Sequence, residues 1–128
     1  MGAWMTTLAY IAFFGALGCV ARYFLSGFVY DRMGWGFPWG TLAVNTTGAF
    51  IIGLIMELAL RGAEIPGNLR IGLITGFLGG LTTFSTFSYE TFRLIETGRF
   101  LTAFCNILLS VSACLVCTWL GILAGKTI

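Results

Sequence analysis

The sequence contains no histidine and very few charged residues. Seven of its 128 residues are Lys or Arg and five are Asp or Glu, so charged residues make up 9% of the chain, whereas soluble proteins average about 25%. This composition excludes an ordinary soluble domain. Without histidine, the chain lacks the commonest general base and metal ligand, and we expect no enzyme. The net charge of +2 is thinly spread and predicts no nucleic-acid partner.

Four long stretches of the chain carry no charge at all. They cover residues 1–21, 33–56, 71–89 and 100–125, which makes them 21, 24, 19 and 26 residues long. About 20 apolar residues in a helix cross the roughly 30 Å hydrocarbon core of a bilayer. The pattern predicts an all-α, multi-pass membrane protein forming one domain over residues 1–128. The approximate transmembrane spans are 6–29, 38–60, 70–96 and 100–124.

The Lys and Arg residues do not favour either side of the membrane. Four spans place three of these residues on one side and three or four on the other (Arg61, Arg70 and Lys126 against Arg32, Arg93 and Arg99, with Arg22 about two turns inside the first span). Orientation normally follows a cytoplasmic excess of Lys and Arg, so the sequence predicts insertion in both orientations. A weak positional bias is the alternative. Because four helices are too few to enclose a polar pathway, we expect an antiparallel homodimer, with the glycine stripe Gly72, Gly76 and Gly80 allowing close helix approach.

The third span contains a polar run in the middle of the membrane. Residues 79–88 read GGLTTFSTFS, and seven of these ten are Gly, Ser or Thr. Such a sequence forms a poor continuous helix, so we expect a break near residues 79–83. Freed main-chain carbonyls from two copies would suit a hard cation. The alternative is a kink whose backbone groups bond neighbouring hydroxyls.

Two phenylalanines follow the expected break, Phe84 and Phe87, one helical turn apart. The edge of a phenyl ring carries partial positive charge, so ring edges beside hydroxyls would favour an anion without holding it by a full charge. Ordinary packing is the alternative. Glu90 lies two residues beyond Ser88 and is a candidate pathway residue. Asn45 in the second span and Arg22 in the first are also costly in lipid, although Arg22 is long enough to reach the interface.

The fourth span carries a polar stripe with a spacing of four residues, made of Asn106, Ser110, Cys114 and Thr118. Neutral hydrogen-bond donors across a membrane provide a path for a small anion, but membrane helices also use such residues to bond each other. The spacing alone leaves both interpretations open. The Cys114-x-x-Cys117 pair has no second pair to accompany it and is interpreted as small packing residues.

The run from Gly76 to Glu90, GFLGGLTTFSTFSYE, closely resembles the signature of the Fluc family. The resemblance continues in residues 18–23 (GCVARY) and 38–45 (PWGTLAVN), and it covers essentially the whole chain. Fluc proteins are small fluoride channels of the bacterial inner membrane, where they export fluoride passively and limit its toxicity. The family consists of antiparallel, dual-topology dimers with two pores.

The resemblance also implies roles for individual residues. Phe84 and Phe87 match the paired rings that contact fluoride, Asn45 matches a pore asparagine near a vestibule, and Ser110 matches a pore serine. A structural sodium ion, which is not transported, would be held by the main-chain carbonyls of Gly79 and Thr82 from both subunits. The remaining pathway candidates are Thr83, Ser88, Glu90, Asn106 and Thr118, with Arg22 as a candidate vestibule residue. Asn106 and Cys114 depart from the aromatic and hydroxyl residues expected at their positions.

Two other functional classes fit a short four-span chain. A proton-coupled small multidrug exporter would need a membrane-embedded carboxylate in its first span, and residues 1–30 contain no Asp or Glu. A non-transporting structural subunit would have no need for the hydroxyl-rich run beside Phe84 and Phe87. The sequence therefore favours a fluoride channel.

Overall fold

The structure is a computed structural model that describes residues 2–128. Its secondary-structure elements are all helices, without a β-strand in that range. The elements are α1 (Gly2–Met33), α2 (Trp39–Leu60), α3 (Gly67–Ile71), a π-helical stretch (Gly72–Leu78), α4 (Gly79–Leu81), α5 (Phe84–Glu96) and α6 (Phe100–Thr127). Four segments are long and apolar enough to cross a membrane, namely α1, α2, the third span Gly67–Glu96 and α6. The predicted all-helical, four-span architecture is confirmed.

The connections between spans are short, and glycines shape them. Gly34 directly follows α1 and has φ +81°, and Gly98 lies between α5 and α6 with φ +77°. A side chain disfavours this left-handed conformation, so glycine is the residue that ends a helix this way. On this side of the molecule, Arg99 Nη2 donates a hydrogen bond to the Gly36 carbonyl at 2.6 Å. The bond ties the third connection to the first.

Glycines also set how closely the helices pack. A Cβ added at Gly76 would lie 2.8 Å from the carbonyl oxygen of Ile11, and one at Gly80 would lie 2.6 Å from that of Gly15. The stripe of Gly72, Gly76 and Gly80 therefore packs against α1 of the same chain. We expected this stripe to serve the approach of helices in a dimer, and the structure uses it inside the subunit. Shape complementarity between two spans is not visible in a spacing pattern alone.

The core lies where α2 meets the first half of the third span. Val44 is fully buried and clusters with Leu78 and Leu81, with Leu25 of α1 packed against them. Helix α6 packs along the other side of α2, where Gly121 approaches the backbone at Phe50. Helix α2 is thus central, and one of its faces meets the polar run of the third span.

Candidate functional site

The helix of the third span stops at Thr82 and Thr83. Helix α4 ends at Leu81 and α5 begins at Phe84. Between them, Thr82 has φ −89° and ψ 156°, and Thr83 has φ −152° and ψ 117°, which are both extended conformations. These two residues interrupt the helical conformation between α4 and α5. The Thr82 N–H still donates to the Leu78 carbonyl at 2.9 Å, whereas the main-chain groups of Thr83 need partners outside the helix.

Asn45 of α2 binds the backbone of Thr83 with both ends of its amide. The Thr83 N–H donates to Asn45 Oδ1 at 2.8 Å, and Asn45 Nδ2 donates to the Thr83 carbonyl at 3.0 Å. One helical turn further along α2, Gly48 leaves the space into which the Thr82 methyl group packs. Helix α2 therefore fixes the position of the break in two ways. Asn45 bonds its backbone, and Gly48 leaves room for the Thr82 methyl group.

The Thr83 side chain caps the helix that follows. Thr83 Oγ1 accepts a hydrogen bond from the Thr86 backbone N–H at 3.1 Å and donates one to Thr86 Oγ1 at 3.0 Å. Threonine at this position satisfies one of the unpaired donors at a helix N-terminus. Thr83 is buried, whereas Ser85 and Thr86 are exposed on the surface of the single chain.

These bonds redirect two amide groups away from carbonyls that an uninterrupted helix would use. In an α-helix, the N–H of each residue donates to the carbonyl four residues earlier. The Thr83 N–H would therefore bond Gly79, and the Thr86 N–H would bond Thr82. Here they donate to Asn45 and to the Thr83 hydroxyl instead. The carbonyls of Gly79 and Thr82 lose their usual helical donors.

Phe84 and Phe87 lie on the first turn of α5. Their ring centroids are 5.3 Å apart, and the ring planes are inclined at 46°. Phe84 is 78% exposed, and Phe87 is partly buried. The exposed Phe84 ring, together with exposed Ser85, Thr86 and Ser88, forms a mixed aromatic and hydroxyl surface directly after the break.

Glu90 is bonded to two residues from other helices. Tyr30 donates its hydroxyl to Glu90 Oε1 at 2.8 Å, and Thr41 donates to the same oxygen at 3.0 Å. The Tyr30 ring stacks on Trp35, with centroids 3.9 Å apart. The other carboxyl oxygen, Oε2, is buried and has no hydrogen-bond partner within residues 2–128. A buried acceptor in this state retains the capacity to bind a donor, such as water.

Two cavities meet at this carboxyl group. One has a volume of about 360 Å³, and Arg22 and Thr83 contribute to its walls. The other has a volume of about 490 Å³ and extends toward Trp35 and Arg93 near the first and third connections. Both cavities are lined by Tyr30, Thr86 and Glu90. The Tyr30–Glu90 bond thus lies between them.

A second polar network is buried between α5 and α6. Asn106 Nδ2 donates to Thr91 Oγ1 at 2.8 Å, and the Ser110 hydroxyl donates to Asn106 Oδ1 at 3.2 Å. Asn106 is 1% exposed. Thr91 itself donates to the Phe87 carbonyl at 2.7 Å. For Asn106, the observed geometry is the interhelical hydrogen bonding that the spacing left open, and Ser110 bonds Asn106 within α6.

Comparison with protein-family models gives a match over residues 9–122 to the family described as CrcB-like protein, Camphor Resistance (CrcB). The match covers most of the chain. The chain belongs to the CrcB family.

Several relatives of this CrcB chain share one name. A protein named fluoride-specific ion channel FluC from Geobacter metallireducens is 66% identical over 122 residues, covering 95% of this chain and 98% of the relative. Proteins of that name from Citrifermentans bemidjiense and Geotalea uraniireducens are 62% and 64% identical over 124 residues. Each comparison covers 97% of this chain and all of the relative.

In this CrcB chain, the predicted site residues do not all lie together. Asn45, Thr83 and the main chain at Gly79 and Thr82 meet at the break, and Arg22 and Glu90 line the cavities beside it. Asn106 and Ser110 lie together between α5 and α6. Ser88 is exposed on α5, and Thr118 is partly buried where α6 passes Gly53 of α2.

Sequence reasoning missed two residues of these networks, Tyr30 and Thr91. Tyr30 lies at the edge of the first span beside charged Asp31, where an aromatic residue is typical of the membrane interface. Thr91 follows Phe87 by four residues, so helical spacing placed it on the same face. That spacing was the available signal for Thr91. Cys114 and Cys117 are free thiols, both partly buried.

Proposed function

We propose that this chain is a fluoride-specific ion channel that exports fluoride passively across the bacterial inner membrane and so limits its toxicity. The observation that carries the proposal is the identity of 61–66% to several proteins with that name, over nearly the full length of both chains. The four membrane-capable helices leave residues 2–128 with no separate soluble domain for another activity.

The proposed pathway replaces water around the ion with neutral groups. Moving a bare small anion into a medium of low dielectric constant costs on the order of tens of kcal/mol. The exposed Phe84 ring edge and the Ser88 hydroxyl would compensate part of that cost without trapping the ion. Thr83, whose hydroxyl donates to Thr86 Oγ1, would hold the start of α5 beside the path. We assign Phe84 and Phe87 to the narrow part of the path and Asn45 to its wall near a vestibule. The other candidates remain Glu90, Asn106, Ser110 and Thr118, with Arg22 in a vestibule.

The proposed assembly is a homodimer, because the single chain leaves polar groups where lipid would lie. Ser85, Thr86 and Ser88 are exposed just after the interruption in the third span. Hydroxyl groups and non-helical backbone at membrane depth need protein or water around them. A second copy placed against this surface would cover the polar run and complete the pathway, which gives two pores per dimer.

The two copies are proposed to insert in opposite orientations. The side that carries the first and third connections contains Arg32, Arg93 and Arg99, and the other side contains Arg61, Arg70 and Lys126. This balance provides no cytoplasmic excess of positive charge. In an antiparallel pair, the third spans would be broken at the middle of the membrane, and the two breaks would face each other.

A structural sodium ion fits the proposed dimer centre. The proposed ligands are main-chain oxygens at the break. The carbonyls of Gly79 and Thr82 have lost their usual helical donors, and Gly79 is exposed. Two such carbonyls from each copy would supply the oxygen ligands that a hard cation prefers. The ion would link the subunits and would not be transported.

The proposal is tested with purified protein reconstituted into liposomes loaded with fluoride and chloride. Ion-selective electrodes record the loss of each anion in parallel after a potassium ionophore dissipates the membrane potential. We expect rapid loss of fluoride while chloride is retained. Retention of both anions by liposomes that contain folded, dimeric protein would contradict the proposal, and so would equal loss of both.

A further inference from the structure

We propose that Asn45 is a positioning residue for the cation site, because its amide keeps the Gly79 carbonyl free to bind a cation. The inference rests on the sodium ion of the proposed function and assigns a second role to a residue expected in the pore. It concerns the contact between α2 and the break, where the Asn45 amide bonds the Thr83 backbone.

The first step is the competition for the Thr83 N–H. In a continuous helix this group would donate to the Gly79 carbonyl, four residues earlier. Asn45 Oδ1 accepts it instead at 2.8 Å, and the Asn45 Nδ2 bond to the Thr83 carbonyl holds the amide in that orientation. Removing the Asn45 amide would return the donor to Gly79. That carbonyl would then be shared between a hydrogen bond and a cation.

The second step is that Thr83 repeats the arrangement one turn later. The Thr86 N–H, which a helix would direct to the Thr82 carbonyl, donates to Thr83 Oγ1 at 3.1 Å. One side chain therefore frees each proposed ligand, Asn45 for Gly79 and Thr83 for Thr82. The two side chains thus divert the helical donors of both proposed ligands.

The third step is that α2 fixes the break in space. Gly48, three residues after Asn45, admits the Thr82 methyl group, and any side chain there would collide with it. Asn45 and Gly48 thus hold consecutive residues of the break from one face of one helix. Groups that orient the ligands of a metal commonly change its affinity by about 10- to 100-fold when they are removed.

The test measures sodium binding through stability and does not depend on conduction. The thermal unfolding of the purified dimer is followed while sodium chloride replaces choline chloride at constant ionic strength. Asn45→Leu removes both hydrogen bonds at similar side-chain size, and we expect the apparent sodium dissociation constant to rise about tenfold or more. Asn45→Asp keeps an acceptor for the Thr83 N–H, and we expect it to retain most of the wild-type affinity.

The matched control is Thr46→Ala, on the same turn of α2. The Thr46 hydroxyl bonds the carbonyls of Leu42 and Ala43 in its own helix, so this variant should bind sodium as the wild type does. A folded Asn45→Leu variant with wild-type sodium affinity would overturn the inference. If that variant does not fold, Asn45→Ala and Asn45→Asp decide the question, because only the aspartate keeps an acceptor for the Thr83 N–H. Equal sodium affinity in those two would also overturn it.

The outcome separates this inference from the channel proposal. A wild-type protein that conducts fluoride but shows no sodium-dependent stability would refute the cation site and the role of Asn45, and the channel would stand. A wild-type protein that is stabilised by sodium, and loses this response in Asn45→Leu, would support the inference even if fluoride conduction were absent.

Discussion

Glu90 joins three helices through one carboxyl oxygen. Tyr30 and Thr41 both donate to Oε1, and Oε2 remains unbonded in a buried position. Because it lines both cavities, a carboxyl group held in this way keeps a polar group at a fixed position between them. Its position depends on the hydroxyl of Tyr30, which the stacked Trp35 ring holds in place.

Tyr30→Phe should therefore reduce both stability and fluoride flux. The change removes one hydrogen bond to a buried carboxyl group, which costs about 1.5–3 kcal/mol, and it lets Glu90 move. We expect fluoride efflux from liposomes to fall about tenfold, the factor that corresponds to about 1.4 kcal/mol. Tyr10→Phe is the control, because Tyr10 is on the same helix and lines neither of the two cavities. Wild-type flux in Tyr30→Phe would show that the position of Glu90 does not limit conduction.

Replacing Phe84 or Phe87 by leucine tests the aromatic part of the path. Leucine keeps most of the apolar volume but has no positive ring edge. We expect each single variant to lower fluoride efflux about tenfold, by loss of a contact worth about 1.4 kcal/mol, and the double variant to abolish it. Phe92→Leu, on the exposed surface of the same helix, should conduct as the wild type does. A double variant with normal flux would place the path elsewhere.

At the scale of single residues, the sequence identified Asn45 but not its partner. An asparagine in an apolar span needs a polar partner, because an unpaired amide in lipid has a high free-energy cost. The partner is the backbone of a residue 38 positions away, and a main-chain group has no signature in the sequence. Tyr30 was missed for a different reason, because its partner is the side chain of a residue 60 positions away and the sequence does not show which distant residues meet.

At the scale of elements, the first half of the third span packs against α1 through glycine. The π-helical turns of Gly72–Leu78 lie within this contact. Such turns commonly occur at functional sites. The sequence pattern predicted a poor helix near residues 79–83 but gave no sign of π-helical turns before it, because these depend on the fit of the third span to α1.

Gly76→Ala tests whether the glycine stripe serves the subunit. The new Cβ would lie 2.8 Å from the Ile11 carbonyl oxygen and 3.0 Å from the Gly15 nitrogen, so we expect overpacking to destabilise the fold by about 1–3 kcal/mol. Gly27→Ala is the control, because a Cβ there meets nothing within 4 Å and alanine favours a helix by about 1 kcal/mol. Thermal unfolding of each variant in detergent gives the comparison. Unchanged subunit stability with weakened dimerisation would instead assign the stripe to the dimer interface.

At the scale of the whole molecule, the architecture followed from the distribution of charge, whereas the assembly did not. Four charge-free stretches predicted four spans, because each apolar stretch must satisfy its backbone within itself in lipid. Helix α1 runs from Gly2 to Met33, longer than the predicted membrane span of 6–29, because a helix can extend beyond the hydrocarbon core of the bilayer. The surface against a second copy depends on both chains together and stays a prediction.

Dual topology is tested with a reporter fused to the C-terminus. Because Lys and Arg are balanced between the two sides, we expect comparable fractions of the reporter on each side of the membrane. Ala63→Arg adds a positive charge to the exposed second connection and should shift most molecules to one orientation. Ala63→Ser, at the same position without a charge, should leave the distribution even. A wild-type protein found in one orientation would exclude the antiparallel dimer of identical chains.

The central claim is that this protein passes fluoride alone, down its own gradient. The most direct measurement is the reversal potential of the current through the reconstituted protein in a planar bilayer, under a tenfold fluoride gradient with chloride present on both sides. We expect the current to reverse near 59 mV, the value for a singly charged ion at about a tenfold gradient, and to ignore gradients of chloride and of pH. A reversal potential that follows chloride, or that moves with pH as coupled proton exchange requires, would contradict the account.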